Sequence, residues 1–325
     1  MRLTCLPRIV ALRFDDKVVL IVGASGGIGK ALAAEFSKEG AHVTLISRDG
    51  PRLQSTRLEL ATLPGSRTVA VADVRVAEQV QAVVTDTIHQ FGRIDILANC
   101  AGIGLACLTA EMEAEDLRGI FETNFFGLFN VLSAVAPHMI ERRAGLIIQM
   151  SSVNGFCAVP LGSAYVSSKF ALEGLSRTAQ VELRRHGVRV LIVRPGLTDT
   201  AFFDKAKDFH ANDPFPMQRM LSPEYVARKT VEAAIRGRNE IVLGIEGKFL
   251  WWVSKVSPQL ADRLIASVVE RYHTRKAASA ARPVRRSPLS ASLRGRTTVP
   301  SAGRTDSPSP QTPPTPNRAP RPAAK

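Results

Sequence analysis

Two side chains that could move a proton stand four residues apart in "AYVSSKFALEG", residues 164–174: the phenol of Tyr165 and the ammonium of Lys169. On a helix, positions i and i+4 are surface neighbours, so both polar tips can reach one point. A free tyrosine, with a pKa of about 10, is a sluggish acid or base at neutral pH, and a cation held beside it favours the phenolate. Such pairs also occur as solvated decoration, so the pair has meaning only if the rest of the chain brings something to it. A second motif does so. "VLIVGASGGIGKAL" sets Gly23, Gly27 and Gly29 between an apolar run and a helical one. Glycines there permit a tight turn and let backbone N–H groups approach a phosphate, which the helix N-terminus attracts.

The elements that must position these groups alternate in kind. Short apolar runs occur at 17–23, 42–47, 68–73, 94–99, 145–151, 188–196 and 240–244, with helical stretches at 28–39, 76–91, 114–141, 163–185 and 223–236 between them. The last helix opens with Ser222 as N-cap and Pro223 at its first position. Continuously apolar strands joined by helices predict an α/β fold: one domain built on a doubly wound, seven-stranded parallel sheet.

The bulk numbers bound the rest. The net charge of +14 is uneven: residues 273–325 hold eleven Lys/Arg against one Asp, and ten of the twenty prolines. That composition predicts a disordered tail, either a plain solvated extension or one that touches anionic partners. Residues 1–272 carry 32 basic and 28 acidic residues, so nothing outside the tail points to a specific nucleic acid. Cys5, Cys100, Cys107 and Cys157 form no C-x-x-C, and the six histidines lack metal-ligand spacing, so no metal and a reducing, cytoplasmic setting are expected. "MRLTCLPRIVALRF" is too short and too charged to span a membrane, and it lacks a signal-peptide h-region. The expected division is an extension over 1–14, the sheet domain over 15–247, an amphipathic helical extension over 248–272 and the tail over 273–325.

The spacing G-x-x-x-G-x-G resembles the first motif of the short-chain dehydrogenase/reductase family, with Val22 where the family has Thr. Further matches follow in the family's order over residues 17–245. "NCAG" at 99–102 is similar to N-N-A-G, with Cys100 for the second Asn; Asn124 sits in "ETNFFG"; Ser152 precedes Tyr165 by thirteen residues; "RPG" at 194–196 is followed by Thr198 and Thr200. The resemblance implies a Rossmann-type fold and a nicotinamide cofactor held by Gly23, Ser25, Gly27, Ile28, Gly29, Asp73, Val74, Asn99, Pro195, Gly196, Thr198 and Thr200, together with Tyr165 and Lys169. It implies Tyr165 as acid–base, Lys169 lowering its pKa, Ser152 polarising the substrate oxygen and Asn124 supporting a proton relay. Taken singly, Ser152 and Asn124 read equally as turn or helix back-bonding residues, and Asp73 as a strand-end turn former.

Arg48 follows Ser47 where members that prefer NAD tend to carry an acid, which suits a 2′-phosphate and favours NADP over NAD. Asp49 is one place late and should point elsewhere, while Gly26 occupies the slot where many NADP users have a second cation. Residues 198–221, a long aromatic segment after a strand's carboxyl end, are expected to cover the substrate. Phe202, Phe203, Phe209, Phe215 and Met217, with Phe156, suggest a lipophilic alcohol or ketone, although such loops also simply pack on their own domain. Leu260, Leu264, Ile265, Val268 and Tyr272 form a stripe at helical spacing beside Trp251 and Trp252. It would pack on the domain or a sister subunit, or, with the tail, contact a membrane surface. The family implies a homodimer or homotetramer. The competing readings are a non-catalytic dinucleotide-binding sensor or adaptor held at a membrane, and a nucleic-acid binder acting through the tail.

Overall fold

β1 (Val18–Val22) is buried along its whole length. Alternate residues feed two cores: Val19 and Ile21 belong to one apolar cluster, Leu20 and Val22 to another on the opposite face of the sheet. A strand buried on both faces has no polar side, which is why these runs read as continuous rather than alternating. The computed structural model describes residues 13–200, 202, 220–257, 259–261 and 263–267.

Seven parallel strands follow the order β3-β2-β1-β4-β5-β6-β7. They are β1, β2 (His42–Ser47), β3 (Arg67–Val71), β4 (Ile96–Asn99), β5 (Gly145–Met150), β6 (Val188–Arg194) and β7 (Glu240–Val242). The helices are α1 (Gly27–Lys38), α2 (Gly50–Glu59), α3 (Ala77–Phe91), α4 (Ala114–Phe121), α5 (Gly127–Arg142), α6 (Ser163–Arg184), α7 (Pro223–Ile235) and α8 (Ile245–Val256). The strand order reverses between β1 and β4, where Val22 lies in register with Asn99. Crevices open at the carboxyl ends of strands at such a reversal, and the glycine turn, Asn99, Ser152 and the Pro195–Gly196 segment all lie at that edge.

The seven-stranded doubly wound sheet stands as expected, with strand limits within a few residues of the apolar runs. α2 is an element the apolar pattern does not name, because its buried residues are Leu53 and Thr56 alone; its start is written in Asp49, whose carboxylate accepts from Arg52 N–H at 3.1 Å, and in Pro51. Ser222 caps α7 through Tyr225 N–H at 3.1 Å, as expected. Between α4 and α5 the chain does not run as one regular helix: Glu122–Phe126 is a π-helical turn. The whole run Ala114–Arg142 is long and apolar enough to cross a bilayer by length and composition. Here it packs one side on α3, β4 and β5 and leaves Phe126 and Phe129 exposed on another. α8 ends at Ser257, which is extended, before helical residues resume at 259. Residues 1–12, Phe203, Phe209, Phe215, Met217, Val268, Tyr272 and the tail lie outside the described residues.

Candidate active site

The turn after β1 is shaped by what glycine lacks. Gly23 has φ +78°, and a Cβ there would lie 2.9 Å from Ala101 N; a Cβ on Gly29 would strike the Gly23 carbonyl. α1 therefore crosses the strand end more closely than any side chain would allow. Its N-terminus carries no side-chain cap and no acidic residue in the first turn. Uncapped N–H groups at the positive end of a helix fit an anion, so the cradle fits the phosphates of a dinucleotide. Two side chains border it: a Cβ on Gly27 would meet Thr200 Cγ2 at 3.1 Å, and one on Gly26 would meet Arg52 Nη2 at 3.7 Å. Arg52 is a residue the sequence reading missed. It reaches the turn from α2, and α2 itself was the signal, since a helix starting at Asp49 and Gly50 points its first turn at that glycine.

Ser47 Oγ donates to Ser25 Oγ at 2.9 Å, tying β2 to the turn. Asp49 is occupied as the α2 cap, as its late position suggested, while Arg48 is exposed. Asp73 is held by Arg75, whose Nε lies 3.0 Å from both carboxylate oxygens, and this hydrogen bonding keeps its carboxyl below the usual range; Arg48 adds a weaker pull. Its backbone carbonyl also accepts from Val76 N–H at 3.0 Å, so Asp73 does build the strand-end turn. The Val74 carbonyl accepts from Asn130, and Asn99 donates to the Leu128 carbonyl at 3.1 Å. Thr198 Oγ1 donates to the Gly196 carbonyl at 3.0 Å, and Pro195 O accepts from Val153 N–H at 3.1 Å, joining the β6 end to the Ser152 segment.

Ser152 directly follows Ser151 at the β5 end. Its backbone is extended, and its hydroxyl accepts from Asn154 N–H at 3.1 Å, capping a single 3₁₀ turn. α6 then presents Tyr165 and Lys169 one turn apart, with Nζ 5.6 Å from the phenol ring centre. Nζ donates to the Met150 carbonyl at 3.0 Å. A Cβ on Gly102 would lie 3.5 Å from Asn124 Oδ1, 3.9 Å from Lys169 Nζ and 4.0 Å from Phe202 Cε2, so three side chains meet over this glycine. Asn124 is fully buried in the π turn: it donates to the Ile103 carbonyl and to Ser168 Oγ, and accepts from Ile103 N–H at 2.8 Å. π turns inside α-helices often mark functional positions, and this one aims Asn124 into the site.

The electrostatics of the pair are dominated by burial. Burial pushes the Tyr165 phenol up to about 12, and the Ser152 hydrogen bond draws it the other way. Burial also brings the Lys169 ammonium down to about 8, against the pull of the neighbouring Cys100 and Glu173. Desolvation is the largest cause of each shift. Beside them, burial raises Cys100 to about 12. Phe202, which the sequence reading placed in the covering segment, packs edge-on against Tyr165 with ring centres 5.4 Å apart. The site thus sets a half-buried phenol and a buried amine at a strand-end crevice, beside an aromatic ring and the glycine turn.

Comparison with known proteins agrees in family. Residues 17–211 match the family model described as short chain dehydrogenase. The chain is 35% identical over 242 residues to the 3-oxoacyl-[acyl-carrier-protein] reductase FabG of Thermotoga maritima, covering 73% of this chain and 98% of that one. It is 32% identical over 247 residues to the 3-dehydrosphinganine reductase of Danio rerio, covering 74% of each. Among solved structures, ElxO with NADP bound superposes with a TM-score of 0.64 at 31% identity, over 70% of this chain and 96% of that one. A fold, a glycine turn and a family match that all coincide leave one assignment: the chain belongs to the short-chain dehydrogenase/reductase family and is an NAD(P)-dependent oxidoreductase.

Proposed function

We propose that the protein interconverts a lipophilic alcohol and its carbonyl compound using NADP(H), with Tyr165, Lys169, Ser152 and Asn124 as its catalytic group. The observation that carries this reading is the convergence of Lys169, Asn124 and Phe202 over Gly102 with Tyr165 one ring contact away. When bound, the nicotinamide supplies or accepts the hydride. Tyr165 gives its phenolic proton to the developing alkoxide in reduction, or takes the alcohol proton in oxidation. Ser152 donates to the same oxygen and steadies the charge that grows there. Lys169, at the β5 end, would hold the ribose hydroxyls of the bound cofactor, and its ammonium would favour a phenolate on Tyr165. Asn124 braces the Ile103 and Ser168 backbone and hydroxyl through which protons pass to solvent.

Gly23, Ser25, Gly27, Ile28 and Gly29 would hold the pyrophosphate, Asp73, Val74 and Asn99 the adenosine side, and Pro195, Gly196, Thr198 and Thr200 the nicotinamide side. Arg48 supports NADP rather than NAD, and Arg52 beside Gly26 supplies from α2 the second cation that the turn lacks. The relatives' names describe reduction of a 3-oxoacyl group and of 3-dehydrosphinganine, which supports a carbonyl on an apolar body. Phe126 and Phe129 on the α4–α5 run and Phe170 and Val181 on α6, all exposed, support assembly of two or four copies through those helices. Cys100 carries a free thiol, which supports a reducing setting.

The test is consumption of NADPH or NADH by the purified chain against a panel of lipophilic ketones and aldehydes. Tyr165→Phe should cut turnover by about 10²–10⁴ while cofactor affinity is kept. Cofactor binding without turnover of any carbonyl, or turnover indifferent to Tyr165→Phe, would reject the reading in favour of the sensor.

A further inference from the structure

α8 carries apolar side chains on two opposite faces. One face packs onto the domain: Gly247 and Val253 are buried, and a Cβ on Gly247 would lie 2.7 Å from Val153 Cγ1, next to Ser152. The other face is open, with Ile245, Phe249, Trp252 and Val256 at 85%, 56%, 62% and 69% exposed. Steps of four, three and four residues place these four in a single stripe. Leu260 and Leu264, also exposed, continue the same interval beyond Ser257. Lys248 and Lys255 flank the stripe on one side, and Lys255 Nζ lies 5.8 Å from the Trp251 ring centre. A helix whose only task was to cover the domain would face water with polar residues, and an apolar patch of this extent marks a contact surface.

Charge selects what covers it. The chain that follows α8 carries eleven Lys/Arg against one Asp beyond residue 272. Stacking α8 on a second copy would bring two such segments together, whereas an anionic surface attracts both them and the flanking lysines. Large aromatic and aliphatic residues on one side, with lysines along the edge, is the make-up of a helix lying in the plane of a lipid interface.

We propose that α8 docks the protein on an anionic lipid bilayer, with Ile245, Phe249, Trp252 and Val256 in the headgroup–acyl boundary and Lys248 and Lys255 at the headgroups. This surface is independent of the catalytic reading. The groove lined by Val153, Leu197, Leu221 and Leu250 lies on the helix's other, domain-facing side.

Both tryptophans of the chain, Trp251 and Trp252, sit on α8 and report on it directly. The full-length protein is mixed with vesicles of phosphatidylcholine alone or with added phosphatidylglycerol, and followed by sedimentation and tryptophan emission. Docking predicts co-sedimentation and a blue shift with the anionic vesicles, both weakened by salt. Phe249→Glu with Val256→Glu, which leaves both reporters in place, should weaken partitioning by about tenfold or more at an unchanged thermal midpoint. Three results would overturn the proposal: wild-type protein that stays in the supernatant with unshifted emission; equal binding to vesicles of phosphatidylcholine alone or by the double variant; or a blue shift that follows protein concentration without vesicles, which would mean that a second copy covers the stripe.

Discussion

Lys169 donates a 3.0 Å hydrogen bond to the Met150 carbonyl while its nitrogen lies 5.6 Å from the ring centre of Tyr165. The amine is therefore anchored to the strand end and aimed past the phenol, and burial sets the protonation of both groups.

That arrangement has a pH signature in stability. Lys169 has a folded pKa of about 8 against an ordinary 10.5, so the unfolded chain binds more protons between those values and the penalty for burying the charge fades as pH rises through them. Tyr165 works in reverse: with a folded value of about 12 against 10.0, stability falls as pH climbs through that window. Lys169→Met should remove the rising limb and stabilise the cofactor-free fold near neutral pH by on the order of 1–3 kcal/mol, while activity is lost. Urea titrations from neutral to alkaline pH measure both; a flat wild-type profile would refute the assignment.

Arg194 and Glu173 are 1% and 7% exposed, and they join through hydrogen bonds of 2.8 and 2.7 Å, with Glu240 adding a third contact at 3.0 Å. Because Glu173 is one turn beyond Lys169 and Arg194 immediately precedes Pro195, the pair locks α6 to the end of β6. Glu173→Ala should cost about 3–5 kcal/mol by stranding a buried guanidinium, whereas replacing both with Leu and Met should recover most of it. Denaturant midpoints of the single and double variants check this.

Cofactor choice should rest on two guanidinium groups. Arg48→Ala and Arg52→Ala should each raise the NADPH KM by about 10–100-fold, the worth of a charge-assisted hydrogen bond, with little effect on NADH. Parallel saturation curves with the two cofactors would show it; equal losses for both would mean that neither cation reads the 2′-phosphate.

Assembly should fail when its apolar side is charged. Phe126→Glu with Phe129→Glu, both on exposed positions, should yield a folded monomer of 35.2 kDa by light scattering. An unchanged assembly would move the interface elsewhere.

Much of this molecule was legible before any coordinates because buried parallel strands announce themselves as unbroken runs such as "KVVLIVG", and because the glycine turn and the Tyr165–Lys169 spacing have local causes. What stayed hidden depends on contacts between distant segments. α2 shows almost no apolar face, so only its cap at Asp49 betrays it. The reach of Arg52 to Gly26 follows from how α2 lies on the sheet, which no periodicity encodes. The rise in the Tyr165 pKa comes from burial by many neighbours, whereas a sequence exposes only the one cation nearby. The exposed stripe from Ile245 to Val256 was missed, because the apolar spacing was read further on, at Leu260 to Tyr272.

The wide turn at Glu122–Phe126 amounts to one residue more than a regular helix would need between Ala114 and Arg142. Deleting a residue there would repair the backbone and ruin the aim: everything on one side would swivel by about 100° relative to the other, carrying either Asn124 off Ile103 or Ile120 out of its apolar cluster. In this chain a length irregularity, rather than a side-chain choice, serves as the sighting device for Asn124, and engineering that trims it for tidiness would keep that amide and lose its aim.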